Sequence, residues 1–239
     1  MLINNPINAF NVNENREVSL KSYLLRKYIP INILEASRVR IKGEGVYYTT
    51  EFDRTKSIFV HIPKAAGTSI SKALYGSRQG HHTALSYRKA NSSKFSSYYK
   101  FTIVRNPWDR LASTYFYLLN SPHEEDYLWA ERNISKYGDF EAFVSRWLSK
   151  ESVWEWKHLL PQSFFITDTE SNMIVDNIFK MESIESGFQQ IIKHIEPLSV
   201  LSHSNKIERQ PYKELYNTKL IDKVAMIYEE DVSKFNYKY

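Results

Sequence analysis

Residues 57–70 read SIFVHIPKAAGTSI. Ser57 to Ile62 is a short apolar run of β-branched and aromatic residues bounded by Pro63, which predicts a buried strand. Pro63 to Gly67 predicts a loop. From Thr68 onward the apolar positions Ile70, Ala73 and Leu74 recur at helical spacing, and Gly76 is placed to end that helix. A strand, a loop of small residues and a helix in this order is an arrangement that holds phosphates. Ala65, Ala66 and Gly67 are small, so backbone N–H groups can approach an oxyanion. Thr68 and Ser69 add hydroxyl donors where the helix begins. The helix N-terminus contributes unpaired N–H groups and partial positive charge. Lys64 sets a full charge beside them. The order is not that of a G-x-x-x-x-G-K-[ST] loop, because Lys64 stands at the front and not directly before the hydroxyl residue.

Working outward, residues 101–113 read FTIVRNPWDRLAS and repeat the plan. Phe101 to Val104 predicts a second buried strand, Asn106 a helix cap and Pro107 the first helical turn. Leu111, Tyr115, Leu118 and Leu119 mark the apolar face of that helix. Arg105 leaves the strand end, and Arg110 and Ser113 lie one helical turn apart. Arginine and hydroxyl together suit a phosphate monoester. Farther along, Asp139 predicts a cap for a helix carrying Phe140, Phe143, Val144 and Trp147. Residues 163–167 (SFFIT) and 177–181 (NIFKM) read as strands. Ile184, Phe188, Ile191 and Ile195 give one amphipathic helix, and Leu220, Val224, Ile227 and Tyr228 another. The alternation predicts an α/β fold: a P-loop-like parallel sheet flanked by helices on both faces, with both loops at the carboxyl edge where such sheets bind ligands.

The flanks say less. Residues 1–50 are read as an N-terminal arm with a short helix (Val18 to Tyr28) and a β-hairpin over 38–50 turning at Gly43–Gly45. Residues 51–239 are read as the functional domain, with no linker to divide it. The N-terminus has no basic segment followed by an apolar run, and no stretch of about 20 apolar residues is present, so the chain reads as cytoplasmic and without a membrane anchor. The absence of cysteine excludes disulfides, thiolate catalysis and Cys-ligated metal. A net charge of +5 suits an anionic ligand. Nucleic acid is disfavoured: the basic residues are scattered among acidic ones, with no zinc framework or helix-turn-helix signature.

The pair PKAAGTSI (residues 63–70) and VRNPWDRLAS (residues 104–113) resembles the two nucleotide loops of sulfotransferases that use 3′-phosphoadenosine 5′-phosphosulfate, closest to the carbohydrate, membrane-associated type. Weaker similarity continues in HHTA (81–84), LPQSFF (160–165), KMESI (180–184), SNK (204–206) and the ending YEEDVSKFNY (228–237). The resemblance implies that Lys64, Ala65, Ala66, Gly67, Thr68 and Ser69 hold the phosphosulfate. It implies that Arg105 and Ser113, with Arg110 nearby, hold the 3′-phosphate. It also implies a hydroxyl-bearing acceptor, a glycan first of all, and no required metal.

On this reading Lys64 neutralises charge on the bridging oxygen of the leaving group. His82 is the first candidate for the base that takes the acceptor's proton, and His81 the second, because imidazole titrates near working pH. Plainer readings stand beside these. The first loop can be an ordinary turn, Arg105 an ion-pair partner, and both histidines solvated surface groups. His61 reads as structural; His158 as lining the acceptor site or as packing; Trp154 and Trp156 as a sugar platform or as core. Two other functions compete: a nucleotide-triphosphate kinase or ATPase using Asp168 on magnesium, and a non-catalytic module for anionic glycans.

Overall fold

The computed structural model describes residues 47–201 and 210–239. The predicted helix at Val18–Tyr28 and most of the predicted hairpin lie outside them, as does SNK. The hairpin's second strand does not run through 47–50: Tyr47 and Tyr48 form a turn, and Thr50 opens a helix. Thr49 caps that helix, its side chain accepting from the Phe52 N–H.

In chain order the elements are α1 (Thr50–Thr55), β1 (Ser57–Val60), α2 (Gly67–Tyr75), α3 (Ala84–Ala90), α4 (Ser92–Ser97), β2 (Tyr99–Val104), α5 (Pro107–Leu119) and α6 (Glu124–Asn133). They continue with α7 (Phe140–Ala142, passing into a π-helical turn at Phe143–Trp147), α8 (Gln162–Ile166), β3 (Asn177–Lys180), α9 (Ile184–Ile191), α10 (Thr218–Ile227) and α11 (Glu229–Lys234). Short 3₁₀ turns lie between them. The three strands form one parallel sheet in the order β1-β2-β3. Ser57 pairs with Tyr99 and Val60 with Thr102, while Phe101 pairs with Asn177 and Val104 with Lys180. Every residue of β1 is buried, as is β2 from Lys100 onward. Successive strand side chains point to opposite faces, so both faces are covered, which is the expected α/β arrangement.

The predicted signals act where the sequence places them. Gly76 ends α2 at φ 68, its N–H bonding the Lys72 carbonyl. Asn106 caps α5, accepting from the N–H groups of Trp108 and Asp109, with Pro107 in the first turn. Asp139 caps α7 through the Ala142 N–H. The predicted strand at 163–167 is instead the helix α8. Its first N–H groups, on Gln162 and Ser163, donate to the two carboxylate oxygens of buried Asp231 at 2.7 and 2.8 Å. A distant carboxylate supplies the cap, and the β-propensity of SFFIT yields to it.

Candidate active site

Because β1 and β2 are parallel neighbours, the two loops leave the same edge of the sheet. They touch: the Arg105 guanidinium donates to the Lys64 carbonyl at 3.0 Å. In the first loop Lys64 (φ 65) and Ala66 (φ 60) both take left-handed backbone conformations, and Ala66, the N-cap of α2, gives no side-chain cap. No side chain of Ala66 caps α2, the Ser69 N–H bonds the Ala66 carbonyl at 3.2 Å, and left-handed residues ahead of a helix are the kind of backbone turn that can present N–H groups to an anion. Gly67 owes its lack of a side chain to a different neighbour. A Cβ there would run into the imidazole of His61.

His61 is buried, stacks on Phe59 with centroids 5.4 Å apart, and donates from Nδ1 to the Gln79 carbonyl at 2.8 Å. Burial lowers its pKa to about 4. His81 lies over it, ring centroids 4.1 Å apart. The Nδ1–H of His81 donates to the His61 carbonyl at 2.8 Å. A guanidinium can only donate, so the 3.3 Å contact between Arg78 Nη2 and His81 Nε2 makes that nitrogen the acceptor. Its neutral tautomer thus presents the Nε2 lone pair. Burial, followed by the neighbouring His61 and His158, holds its pKa well below the ordinary value. His82 faces elsewhere, packing on Tyr47 and Tyr87 at 4.7 and 5.9 Å between centroids.

Beyond His81 the cluster continues. His158 lies 6.0 Å from the His81 ring and 5.0 Å from that of Tyr117. It is buried, and its Nδ1 has no hydrogen-bond partner. That nitrogen stands 3.5 Å from the Asp126 carboxylate. Burial, with Lys157 and Lys64 adding to it, keeps His158 well below its usual pKa. His158, Asp126, Lys157, Arg78 and His123 line a cavity of about 500 Å³, large enough for a sugar-sized group. The Lys64 ammonium sits 3.8 Å from the Tyr117 ring centroid.

The second loop is held rigidly. Arg105 pairs with Asp109 at 2.7 Å. Buried Gln162 clasps the Arg105 backbone from both sides, accepting from its N–H and donating to its carbonyl, each at 2.8 Å. Ser113 is buried on α5. Arg110 is turned inward: it is 2% exposed, and its guanidinium donates to the carbonyls of His158 and Leu160 at 3.2 and 2.7 Å. It anchors that segment to α5. Asp168 accepts from the N–H groups of Glu170 and Asn172 in a local turn, and Arg88 approaches it at 3.9 Å. Trp156 belongs to the core, stacked on Trp129 at 5.0 Å; Trp154 is 43% exposed.

The profile of the sulfotransferase family matches residues 49–238. The chain belongs to the sulfotransferase family. No curated protein and no solved structure matches it. Membership makes this sulfotransferase an enzyme of sulfuryl transfer, which requires a hydroxyl-bearing or similar acceptor. The matched region includes both loops and the histidine cluster. Among the described residues no helix is long and apolar enough to cross a membrane.

Arg78, Tyr117 and Asp126 escape sequence reasoning, and Gln162 enters it only inside the LPQSFF block, with no role of its own. Tyr117 had a signal, standing four residues after Ser113 on the same helix face. Asp126 had a misleading one, since EED at the start of α6 reads as a solvated acidic turn.

Proposed function

We propose that this sulfotransferase moves a sulfuryl group from 3′-phosphoadenosine 5′-phosphosulfate to a hydroxyl of a carbohydrate acceptor. The observation that carries the reading is the contact between the two loops, which brings an anion cradle and an arginine-bearing loop together at one sheet edge. The cradle of Lys64 to Ser69 fits the phosphosulfate end of the donor, and Arg105 with Ser113 fits the 3′-phosphate. Transfer breaks the sulfur–oxygen bond to the 5′-phosphate and forms one to the acceptor oxygen; the electron pair stays on the phosphate and the acceptor's proton goes to a base. Lys64, at the front of the cradle, takes the role of neutralising that leaving oxygen. His81 takes the role of base ahead of His82, because its Nε2 acceptor is turned to Arg78, a residue that lines the cavity, and an acceptor hydroxyl would take Arg78's place there, while His82 packs on tyrosines. Arg110 is assigned to holding the fold. Metal has no assigned part in the reaction, and residues 51–239 act as one domain.

Two measurements test the reading. 3′,5′-Adenosine bisphosphate without magnesium should raise the melting temperature, while ATP with magnesium should not. Labelled donor incubated with a panel of glycans should give a sulfated product by mass spectrometry. A response to ATP and magnesium alone would favour a kinase, and a response to neither nucleotide a glycan-binding module.

A further inference from the structure

Lys64 projects from a loop on a long stem with several rotatable bonds, and a catalytic ammonium that wanders loses effectiveness through misplacement. Its backbone end is fixed by Arg105, which donates to its carbonyl at 3.0 Å. Its charged end lies 3.8 Å from the centre of the Tyr117 ring, well inside the range at which a ring face attracts a cation. We propose that Tyr117 is a positioning residue that seats and aims Lys64 at the leaving oxygen, a proposal that rests on the role given to Lys64 above.

The seat is itself anchored. The Tyr117 hydroxyl donates to Asp126 Oδ2 at 2.9 Å. Asp126 is 2% exposed, and its other oxygen accepts from the Trp156 indole N–H at 3.0 Å. Trp156 is locked against Trp129. The phenol is thus tied at its far edge to a buried carboxylate on α6, while its near face carries the ammonium. Donation to a carboxylate enriches the phenol in electron density, which strengthens the hold of the ring on a cation. A carboxylate seat would neutralise the lysine; a ring face holds it and leaves its charge available to a developing oxyanion. Tyr117 stands one helical turn beyond Ser113 on α5, so the element proposed to carry the 3′-phosphate contact also fixes the group that meets the reacting end.

The test needs no knowledge of the acceptor. Slow hydrolysis of labelled 3′-phosphoadenosine 5′-phosphosulfate by water uses the same leaving group, so sulfate release reports Lys64 directly. Tyr117→Leu should lower kcat for this release about tenfold, the size of a part-buried cation–π contact, and Tyr117→Phe should keep most of it. The donor KM should stay within about twofold of wild type in both variants. In a Lys64→Ala background Tyr117→Leu should cause no further loss, since the ring then has nothing to aim. A spectroscopic readout stands apart from activity: the Lys64 ε-methylene protons, assigned by their disappearance in Lys64→Ala, should be shifted upfield by the ring in wild type and Tyr117→Phe. Ordinary shifts in wild type would overturn the seat even if Tyr117→Leu fails to fold. Additive losses in the double variant would also overturn it. If Lys64→Ala keeps full release, the role of Lys64 itself is wrong; if Lys64→Ala fails while Tyr117→Leu matches wild type, only the seat is.

Discussion

At the scale of single residues, the small side chains of the first loop serve two neighbours. The sequence reads Ala65-Ala66-Gly67 as room for an oxyanion, and that is half of the constraint. The other half is the His61 ring, which occupies the space a Gly67 side chain would need. Nothing local announces this contact, because His61 reads as part of the strand. Gly67→Ala should therefore destabilise the protein by about 1–3 kcal/mol through overpacking, and should weaken bisphosphate binding as the loop shifts. Thermal melting and nucleotide titration check both; an unchanged melting temperature would mean that the ring yields without cost. The histidines divide similarly. The sequence puts His82 ahead of His81 within HHTA, yet adjacent residues point differently only once the chain has folded. With its pKa held down by burial, His81 stays neutral to lower pH than a free imidazole. The acid limb of kcat/KM should consequently fall below the ordinary histidine value of about 6.5. His81→Ala should lower kcat by about 10² or more and abolish that limb, while His82→Ala should keep both. The reverse pattern in the pH–rate profiles would restore His82.

At the scale of elements, β1, β2, β3, α2, α5, α9 and α10 are legible because each carries its own periodicity and stop signals. Gly76 at φ 68 and the Asn106 cap act within a few residues of the helices they bound. Helix α8 is illegible for the opposite reason. Its cap, Asp231, arrives from α11 at the far end of the described chain, and a local window sees only the β-propensity of SFFIT. The same helix carries Gln162, whose amide closes on both backbone groups of Arg105. The mistaken element is thus the one that fixes the second loop. Gln162→Leu keeps the volume but strips both hydrogen bonds from a part-buried backbone, so it should cost about 2 kcal/mol. It should also weaken 3′,5′-adenosine bisphosphate more than 5′-AMP, since Arg105 is proposed to meet the 3′-phosphate. Titration of the two nucleotides checks this; equal losses would leave Gln162 as a purely structural residue.

At the scale of the whole molecule, the sequence shows how strands and helices alternate but not what they converge on. His61, His81 and His158 come from three separate segments, and only the closed fold stacks them between the loops and the cavity. That convergence has a consequence for stability. All three imidazoles have pKa values lowered by burial. Their folded values lie below the unfolded one, so on acidification the unfolded chain takes up protons first. The contribution of His61 is complete above about pH 6.5 and is lost as pH falls to about 4. From His61 alone this amounts to about 3 kcal/mol, and the other two add in the same direction. Asp53, its pKa lowered chiefly by the Lys94 hydrogen bond, acts only below this window. Buried Asp231, its pKa raised by desolvation, opposes the histidines, one group against three. The urea midpoint should therefore drop clearly between pH 7.5 and pH 5, before most carboxylates titrate. His158→Phe removes one of the three groups and its unpartnered Nδ1, so the difference in midpoint between the two pH values should shrink. A midpoint that stays constant over this range would show that the cluster admits protons freely in the folded state. In that case His81 would not be the neutral base proposed for the reaction.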